Sequence, residues 1–365
     1  MTMHELGIAT LNLENGERID LLPELVARVP GLDVLLLQEG RGWDCRGQKR
    51  RFQAESLLAA MGLDRSFLTR STRGTLHELV FIRSARMRPL AHYTPDLPDV
   101  FHDQIGAVQL LAGGLMPPLT VRSVQWPHWS GDARLNEALR LTRYAAPDAC
   151  AVIAGDFNSL YPDCETHVAE FEPDWTQLPP YKRHHKTLPP GLRSPGTLVS
   201  DRRALTTLAE AGLRSAGCIA GDMTPTINAD TDHGQGGRID HILLSPMLAR
   251  AVIPGSYQVN VSDAGNPGKR SPDGLGAARP DPGEVQHDAG GLVTAPSTDH
   301  AAAGTRPGAG TPGWLCSMRV AAPDHGGYPA TFVPSGAGGP VVVCAPPGQF
   351  PPAGAGGDAG GRPGR

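Results

Sequence analysis

The sequence predicts a mixed α/β domain that is followed by a disordered tail. Segments with strand and helix patterns alternate through residues 1–262, as expected for sheets covered by helices. Beyond residue 261 this periodicity stops, and the last 105 positions contain 23 Gly and 16 Pro, a composition typical of low-complexity chains. We therefore expect a folded domain over residues 1–262 and a disordered, Gly/Pro/Ala-rich tail over residues 263–365.

Each element is assigned from its hydrophobic pattern. The runs at 33–38 and 150–154 are apolar throughout, which is typical of strands buried on both faces. Shorter apolar runs predict further strands at 7–13, 79–82, 106–111, 119–125, 239–244 and 257–261. Helical spacing predicts helices at 21–29, 51–61, 133–144 and 201–211, while residues 159–199 are Pro-rich and irregular.

Bulk composition excludes several classes of protein. The net charge of −4 is not the strongly basic balance of a general nucleic-acid binder. Six cysteines without C-x-x-C spacing indicate neither a zinc ribbon nor a redox motif. The first residues lack a signal-peptide pattern, and no long apolar run predicts a membrane span. We expect a cytoplasmic monomer without a stable protein partner.

Carboxylate and amide side chains recur where the predicted strands end. These positions are Asn12, Glu14, Glu39, Asp156, Asn158 and, in a further apolar segment, Asp240. Strand ends commonly carry the sites of sheet proteins, and carboxylate and amide oxygens suit a hard cation such as Mg²⁺. Magnesium bound there can activate a phosphate ester for attack.

Four segments carry a resemblance to a known family. They are T-L-N-L-E at 10–14, L-L-L-Q-E at 35–39, A-G-D-F-N-S at 154–159 and G-R-I-D-H-I-L-L-S at 237–245. In this order and spacing they resemble the endonuclease/exonuclease/phosphatase superfamily. The resemblance implies a four-layer α/β/β/α sandwich of the DNase I-like type. It also implies hydrolysis of a phosphodiester or phosphomonoester that depends on Mg²⁺, with Mn²⁺ as the alternative ion.

The same resemblance assigns roles to individual residues. Glu39 and Asn12 match metal ligands, and Glu14 stands where the family often has an acidic residue near the metal. Asp156 matches the residue that orients or activates the attacking water. Asn158 matches a hydrogen-bond donor to the scissile phosphate.

Asp240 looks like the carboxylate that orients a catalytic histidine. This chain departs from the family at the positions of the histidines. The family's strand before the next helix usually ends in His, whereas this chain reads V-R-S-V-Q-W-P-H-W. Gln125 takes that place, where it would contact the substrate. His128, three residues on, is the candidate replacement for the catalytic histidine.

The family's closing Ser-Asp-His motif is absent from its expected window, which reads V-S-D-A-G-N-P-G-K-R-S-P-D-G. The later Asp-His pairs at 299–300 and 324–325 are too far along, and neither is expected to precede an apolar strand. One hypothesis is a +1 frameshift near residue 269, since codons for residues 269–272 can encode Ser-Asp-His-Arg one base later. The alternative is an authentic disordered tail.

Two functional classes remain open. One is a metal-dependent phosphoesterase acting on a nucleic acid, a small phosphodiester or a lipid headgroup. The other is a catalytically impaired or non-catalytic phosphate-binding relic. The scarcity of basic clusters weakens duplex DNA as a substrate, although the run K-R-H-H-K at 182–186 is a candidate substrate contact. His241 is expected to be a packing residue.

Overall fold

The computed structural model describes residues 5–71, 73–93, 100–113, 115, 117–162, 172–222, 224–227, 237–261, 314–321, 332–333 and 341–342. The chain divides into two compact units, Met1–Asp324 and His325–Arg365. The strands and helices of the first unit form two sheets with helices on their outer faces.

The first sheet contains the strands β1 (Glu5–Asn12), β2 (Leu32–Gln38), β3 (Arg65–Thr69), β4 (Glu78–Ile82), β11 (Gln258–Val261) and β12 (Trp314–Ala321). Their order across the sheet is β11-β12-β1-β2-β4-β3. The central strands β1 and β2 run parallel, so that Asn12 and Gln38 end side by side.

The second sheet contains the strands β5 (Met87–Tyr93), β6 (Ala107–Ala112), β7 (Leu119–Gln125), β8 (Ala151–Asp156), β9 (Arg214–Ser215) and β10 (Asp240–Leu244). Their order is β5-β6-β7-β8-β10-β9. β7 and β8 run parallel and end side by side at Gln125 and Asp156, while antiparallel β10 begins with Asp240 opposite Asp156.

The helices are α1 (Leu22–Ala27), α2 (Lys49–Ala59), α3 (Gly131–Leu141), α4 (Pro180–Lys186), α5 (Arg203–Ala211), α6 (Ala216–Ala220) and α7 (Pro246–Ala249). α1 and α2 pack on the outer face of the first sheet, and α3 and α5 pack on that of the second. A third apolar cluster lies between the two sheets. The expected α/β/β/α sandwich is therefore confirmed. No helix in the described segments is long and apolar enough to cross a membrane.

The inward-facing side chains of the central strands change from apolar to polar toward one edge. Because alternate residues of a strand face the same side, each strand can be followed along its inner face. The inward series are Leu6-Ile8-Thr10-Asn12, Val34-Leu36-Gln38, Val121-Ser123-Gln125, Val152-Ala154-Asp156 and Leu244-Ile242-Asp240. The apolar ends form the core between the sheets, and the polar ends all reach the same edge of the sandwich.

Some elements were not predicted. β5 contains Pro89 and alternates exposed and half-buried residues at the edge of its sheet, so it lacks an apolar run. β3 has only five residues, and α4 lies in the segment expected to be irregular. The α5 helix, expected from residue 201, begins after Arg202, and Asp201 accepts a hydrogen bond from the Arg203 backbone nitrogen.

The expectation of a tail without strands was wrong at β12. This strand pairs antiparallel with β1, from Glu5↔Ala321 to Thr10↔Cys316, and with β11 on its other side. Its side chains Cys316, Met318 and Val320 join the core between the sheets. The last strand of the first sheet is thus supplied by residues beyond 262, across a segment (262–313) that lies outside the described residues.

The second unit is described only by two short strands. They are β13 (Phe332–Val333) and β14 (Val341–Val342), which pair antiparallel. In the sequence, β12 follows the Asp-His pair at 299–300, and β13 follows the pair at 324–325. The expectation that neither pair precedes a strand was therefore wrong, although both pairs lie outside the described residues.

Candidate active site

The polar edge of the sandwich gathers the residues that the sequence singled out. Asn12 ends β1, Glu39 follows β2, Gln125 ends β7 and Asp156 ends β8. Parallel neighbours end at the same edge of a sheet, and the two sheets face each other across the core. Four residues distant in sequence therefore meet in one place.

Their meeting point is the side-chain amide of Asn12. Its Nδ2 lies 3.0 Å from Oε1 of Glu39, 3.0 Å from Oδ2 of Asp156 and 3.3 Å from Oε1 of Gln125. Three oxygens from three strands thus converge on a single atom. The metal-ligand role that the resemblance implies for Asn12 and Glu39 stays a prediction.

Gln125 bridges the two carboxylates. Its Nε2 donates to Oε1 of Glu39 at 3.3 Å and to Oδ2 of Asp156 at 3.2 Å. The side chain is buried, and it occupies the position where the family pattern has a histidine. His128 is exposed on the loop that follows β7. Within the described contacts it is Gln125 that binds the two carboxylates, and a catalytic role for His128 stays a prediction.

Two loop residues beside this arrangement have unusual backbone conformations. Glu39 has φ 59° and Glu14 has φ 49°, both in the left-handed region that costs a non-glycine residue roughly 1 kcal/mol or more. The backbone nitrogen of Asn15 donates to Oε2 of Glu39 at 2.8 Å, and that of Glu14 donates to Oδ1 of Asn12 at 2.8 Å. The β1 loop therefore fixes both candidate metal ligands.

Glu14 itself has a different partner. Its carboxylate forms an ion pair with Arg18 at 2.8 Å, and Arg18 also donates to the backbone oxygen of Asn12 at 2.9 Å. The Arg18 side chain is nearly buried, and its guanidinium lies 5.9 Å from the ring centroid of Trp314 at the start of β12. Glu14 thus lies beside the site, and its role toward a metal stays a prediction.

The segment G-D-F-N forms a tight turn at the end of β8. A Cβ at Gly155 would lie 2.0 Å from the backbone oxygen of Val124, so only glycine allows β7 to approach this closely. Asp156 Oδ1 accepts a hydrogen bond from the backbone nitrogen of Asn158 at 2.8 Å. The Asn158 side chain donates to the backbone oxygen of Trp126 at 3.0 Å, and its φ is 47°. Whether Asn158 also binds phosphate stays a prediction.

Burial and mutual repulsion shift the protonation of these carboxylates. Burial, together with the charge of Glu39, raises the pKa of Asp156 to about 6. Burial, together with the charge of Asp156, raises the pKa of Asp240 well above its ordinary value, while Arg18 opposes the shift. Such a cluster is stabilised by a proton or by a bound cation.

Asp240 begins β10, next to Asp156. Its backbone nitrogen donates to Oγ1 of Thr226 at 3.0 Å. The histidine that the family pairs with this carboxylate was not found in the expected window, and the later Asp-His pairs lie outside the described residues. The orienting role of Asp240 therefore stays a prediction. Its neighbour His241 is buried against Phe157 and Tyr161, as a packing residue would be, and burial lowers its pKa to about 3.

α4 places the basic run close to the site. The charge of Lys186 lowers the pKa of Asp156, although burial and Glu39 outweigh it. Arg134 of α3 donates to the backbone oxygens of Pro127 and His185, each at 3.0 Å, and so ties α4 to the loop after β7. This position fits the candidate substrate contact for residues 182–186, which stays a prediction.

A buried polar chain beneath the site was not predicted. Gln38 donates to Oγ of Ser123 at 2.9 Å and exchanges hydrogen bonds with Thr10, while Ser123 donates to Oε2 of Glu78. Burial raises the pKa of Glu78 well above its ordinary value. In the sequence these residues look like ordinary strand positions, but a Glu at the start of the apolar strand β4 is the signal that could have revealed the chain.

The donor set suits a hard divalent cation. Among the described residues, no three His, Cys, Asp or Glu side chains cluster into a metal site by themselves. Magnesium, however, is usually held by one or two carboxylates together with other oxygens and water. Glu39 and Asp156 supply two carboxylates at one point of the edge, and the Asn12 side chain lies between them. The residues present therefore fit such an ion.

Comparison with known proteins gives similarity in structure only. No protein-family model and no curated protein matches the chain. It is similar to the 3′ phosphatase NExo from Neisseria bound to a product DNA hairpin, with TM-score 0.46, 17% identity, and coverage of 87% of this chain and 98% of that chain. It is also similar to an endonuclease/exonuclease/phosphatase family protein from Bacteroides thetaiotaomicron, with TM-score 0.45, 15% identity, and coverage of 71% and 86%.

A third similar structure is truncated TDP2 from Caenorhabditis elegans, with TM-score 0.45, 12% identity, and coverage of 87% of this chain and 97% of that chain. One of the matched structures is named for the same family as the four sequence motifs.

Proposed function

We propose that this protein hydrolyses phosphate esters with the help of a divalent metal ion. The observation that carries the proposal is the convergence of Glu39, Gln125 and Asp156 on the amide of Asn12, within 3.0–3.3 Å. Two carboxylates with two amides at one edge can hold a hard cation and a phosphate together. The raised pKa of Asp156 supports the proposal, because a bound cation would offset the burial and the charge of Glu39 that raise it.

Asp156 is the proposed base for the attacking water. A carboxylate in this position can accept the proton of a water that attacks a phosphate bound beside it. Its Oδ1 is held by the Asn158 backbone, so the carboxylate cannot turn away from the site. Water would form a bond to phosphorus, and the ester oxygen would leave on the opposite side.

Glu39 and Asn12 are the proposed metal ligands, with Glu14 nearby. When bound, Mg²⁺ or Mn²⁺ would neutralise charge on the phosphate oxygens. Gln125 and Asn158 are the proposed amide donors to the phosphate. Their amides are already oriented by hydrogen bonds, so little reorganisation is needed when substrate binds.

The test is hydrolysis of bis(p-nitrophenyl) phosphate with Mg²⁺ or Mn²⁺, with and without EDTA. We expect activity that EDTA abolishes, and we expect Asp156→Ala to lower kcat by about 10³-fold or more, as for other groups of a cooperative site. Asp64→Ala is the matched control. Asp64 is an exposed carboxylate that accepts a hydrogen bond from Ser84 and belongs to none of the four motifs. Activity that survives both EDTA and Asp156→Ala would refute the proposal.

A non-catalytic phosphate-binding protein is the second candidate. Gln125 favours it, because an amide cannot transfer a proton where the family pattern has a histidine. The amides of Asn12 and Gln125 also both donate hydrogen bonds to the two carboxylates. Calorimetric binding of inorganic phosphate in the presence of Mg²⁺, without turnover of any phosphoester, would support this candidate over hydrolysis.

The substrate is proposed only as a class. A nucleic acid, a small phosphodiester and a lipid headgroup all offer the required ester. The net charge of −4 disfavours an extended duplex, for which a basic stripe is expected. A substrate screen with Mg²⁺ at two salt concentrations separates the classes, because binding to a polyanion weakens steeply with salt.

A further inference from the structure

A strongly basic segment follows the candidate metal ligand Glu39. Residues 41–52 contain five basic side chains and one acidic side chain, although the whole chain has a net charge of −4. The acid, Asp44, pairs with His77 at 2.9 Å. Four of the cations are exposed and form no ion pair with any described residue, and we call them the basic strip: Arg41, Arg46, Lys49 and Arg50. The net charge therefore does not reveal a local positive surface.

The basic strip begins two residues after Glu39 and lies beside the loop that holds it. Arg50 donates from Nη1 to the backbone oxygen of Arg41 at 3.1 Å. A Cβ built on Gly16 would lie 3.3 Å from the same Nη1. Gly16 follows Asn15, whose backbone nitrogen donates to Oε2 of Glu39 at 2.8 Å. The guanidinium of Arg50 is therefore next to the loop that binds the Glu39 carboxylate.

Packing fixes the segment that connects Glu39 to α2. Trp43 is fully buried, and a Cβ added at Gly40 would lie 3.3 Å from Cγ of its ring. Arg51, the fifth cation, donates to the backbone oxygen of Ser66 at 2.7 Å and so attaches α2 to the start of β3. The exposed cations are thus presented by a segment that is held at both ends.

The charges of the basic strip are unfavourable unless an anion is bound. Lys49 and Arg50 lie in the first turn of α2, which contains no acidic residue. The amino end of a helix carries a partial positive charge, so cations placed there reduce its stability. Since no described carboxylate pairs with these two side chains, a bound polyanion is the group that would offset the repulsion.

Phe52 adds an exposed aromatic ring beside the cations. Its side chain is 51% exposed, and the guanidinium of Arg51 lies 5.4 Å from its ring centroid. Cations next to an exposed ring bind single-stranded nucleic acids, through the phosphates and through a stacked base. A membrane surface requires a continuous apolar face. Leu57, the other large exposed apolar side chain of α2, is five residues from Phe52 and therefore lies on a different face.

We propose that the basic strip binds a single-stranded nucleic acid, with the phosphates that flank the hydrolysed ester on the four cations and one base stacked on Phe52. The proposal rests on the proposed hydrolase function and adds the substrate class to it. Arg41, which is nearest to Glu39 in the chain, binds the phosphate next to the hydrolysed one. The strand then continues along the first turn of α2. A small phosphodiester is too short to reach these cations from the candidate site.

The experiment measures binding without turnover. Fluorescence anisotropy follows a labelled oligothymidylate of about 12 nucleotides in EDTA, and Arg46→Gln/Lys49→Gln removes two cations of the basic strip. We expect this variant to lose about tenfold or more in affinity at low salt. The slope of log affinity against log salt concentration should become shallower by about 1.4, because each phosphate contact on a single strand contributes about 0.7.

Arg214→Gln/Arg250→Gln is the matched control, because it removes the same charge from exposed residues. Arg214 pairs with Leu244, at the end of β10 away from Asp240, and Arg250 follows α7. We expect the control variant to bind the oligothymidylate as the wild type does. Equal losses in the two double variants, or an unchanged salt slope in the strip variant, would overturn the proposal.

Phe52→Leu separates stacking from apolar contact. Leucine keeps an apolar side chain but cannot stack on a base, so we expect affinity for the oligothymidylate to fall by about fivefold or more. Unchanged affinity would overturn the role of Phe52. Tighter binding to a duplex of the same length, or to phosphatidylserine vesicles, than to the oligothymidylate would overturn the choice of a single strand.

The hydrolase function is tested separately, by turnover of bis(p-nitrophenyl) phosphate. A wild type that is inactive on this ester but shows the expected binding would refute the hydrolase function alone. A wild type that hydrolyses the ester but does not bind the oligothymidylate would refute the proposal for the basic strip alone.

Discussion

Asp156 and Asp240 lie directly opposite each other on the antiparallel strands β8 and β10. Both carboxylates are buried, and the charge of Asp156 helps to raise the pKa of Asp240. Two acidic groups placed side by side without water are unfavourable in an ordinary core. Their persistence at the polar edge therefore indicates a site in which a proton or a cation offsets the repulsion.

Asp240→Asn tests this repulsion. A carboxylate whose pKa is raised by folding adds stability below its ordinary pKa of 3.8, and that contribution is lost as the pH rises through the folded-state value. We therefore expect the variant to be about as stable as wild type at pH 4 and more stable by roughly 1–3 kcal/mol at pH 8 without metal. Urea unfolding at both pH values measures the difference, with exposed Asp20→Asn as the control. A variant less stable at pH 8 contradicts the interpretation.

Glu137→Gln should reveal a second buried acid away from the metal ligands. Burial raises the pKa of Glu137 to about 8, against an ordinary value of 4.5, so its folded form is neutral at pH 7. Wild-type stability should fall as the pH rises from 6 to 9, and the variant should lose less. The free energy of unfolding at pH 6 and pH 9 checks this prediction. Parallel curves for the two proteins would show that Glu137 is already ionised in the folded state.

Glu39→Gln should weaken metal binding. The substitution removes one of the two carboxylates at the point of convergence but keeps the shape of the side chain, so we expect Mn²⁺ affinity to fall by about 10–100-fold. Titration calorimetry measures it without relying on turnover. Glu24→Gln, which removes an exposed partner of Arg28, is the control. Unchanged affinity would place the ion elsewhere.

Met318→Ala tests whether β12 belongs to the folded domain. Met318 is buried between the sheets and pairs with Ile8, so its truncation should cost about 2–5 kcal/mol. Met318→Leu preserves volume and should cost less than about 1.5 kcal/mol. Thermal and urea unfolding distinguish the two variants. Equal stability of all three proteins would mean that β12 contributes nothing to the sheet.

The nucleotide sequence around codon 269 tests the frameshift hypothesis. Codons that cannot encode Ser-Asp-His in another frame would exclude it. The strand β12 constrains this hypothesis. Its residues alternate between the core and the outer face, as expected for a strand translated in its correct reading frame. A shift near residue 269 would therefore have to be reversed before residue 314.

Local sequence was sufficient for most of the central strands and for the residues at their ends. Runs such as 33–38 and 150–154 are apolar because both faces of those strands are buried, and this signal is local. The change to Asn12, Glu39 and Asp156 at the strand ends is equally visible in the sequence. The edge strand β5 was not predicted, because one side of an edge strand needs no apolar residues.

Only the tertiary structure decided which side chains meet across the two sheets. Gln125 binds Glu39 and Asp156 because the ends of β2, β7 and β8 face each other, a relationship that no sequence spacing encodes. The same holds for Arg50 beside Gly16. It holds also for β12, which pairs with β11 although it is distant in sequence. The Gly and Pro content of the surrounding sequence had suggested that no strand was present there. Periodicity reports which face of an element is buried, but contacts between distant elements depend on how those faces pack.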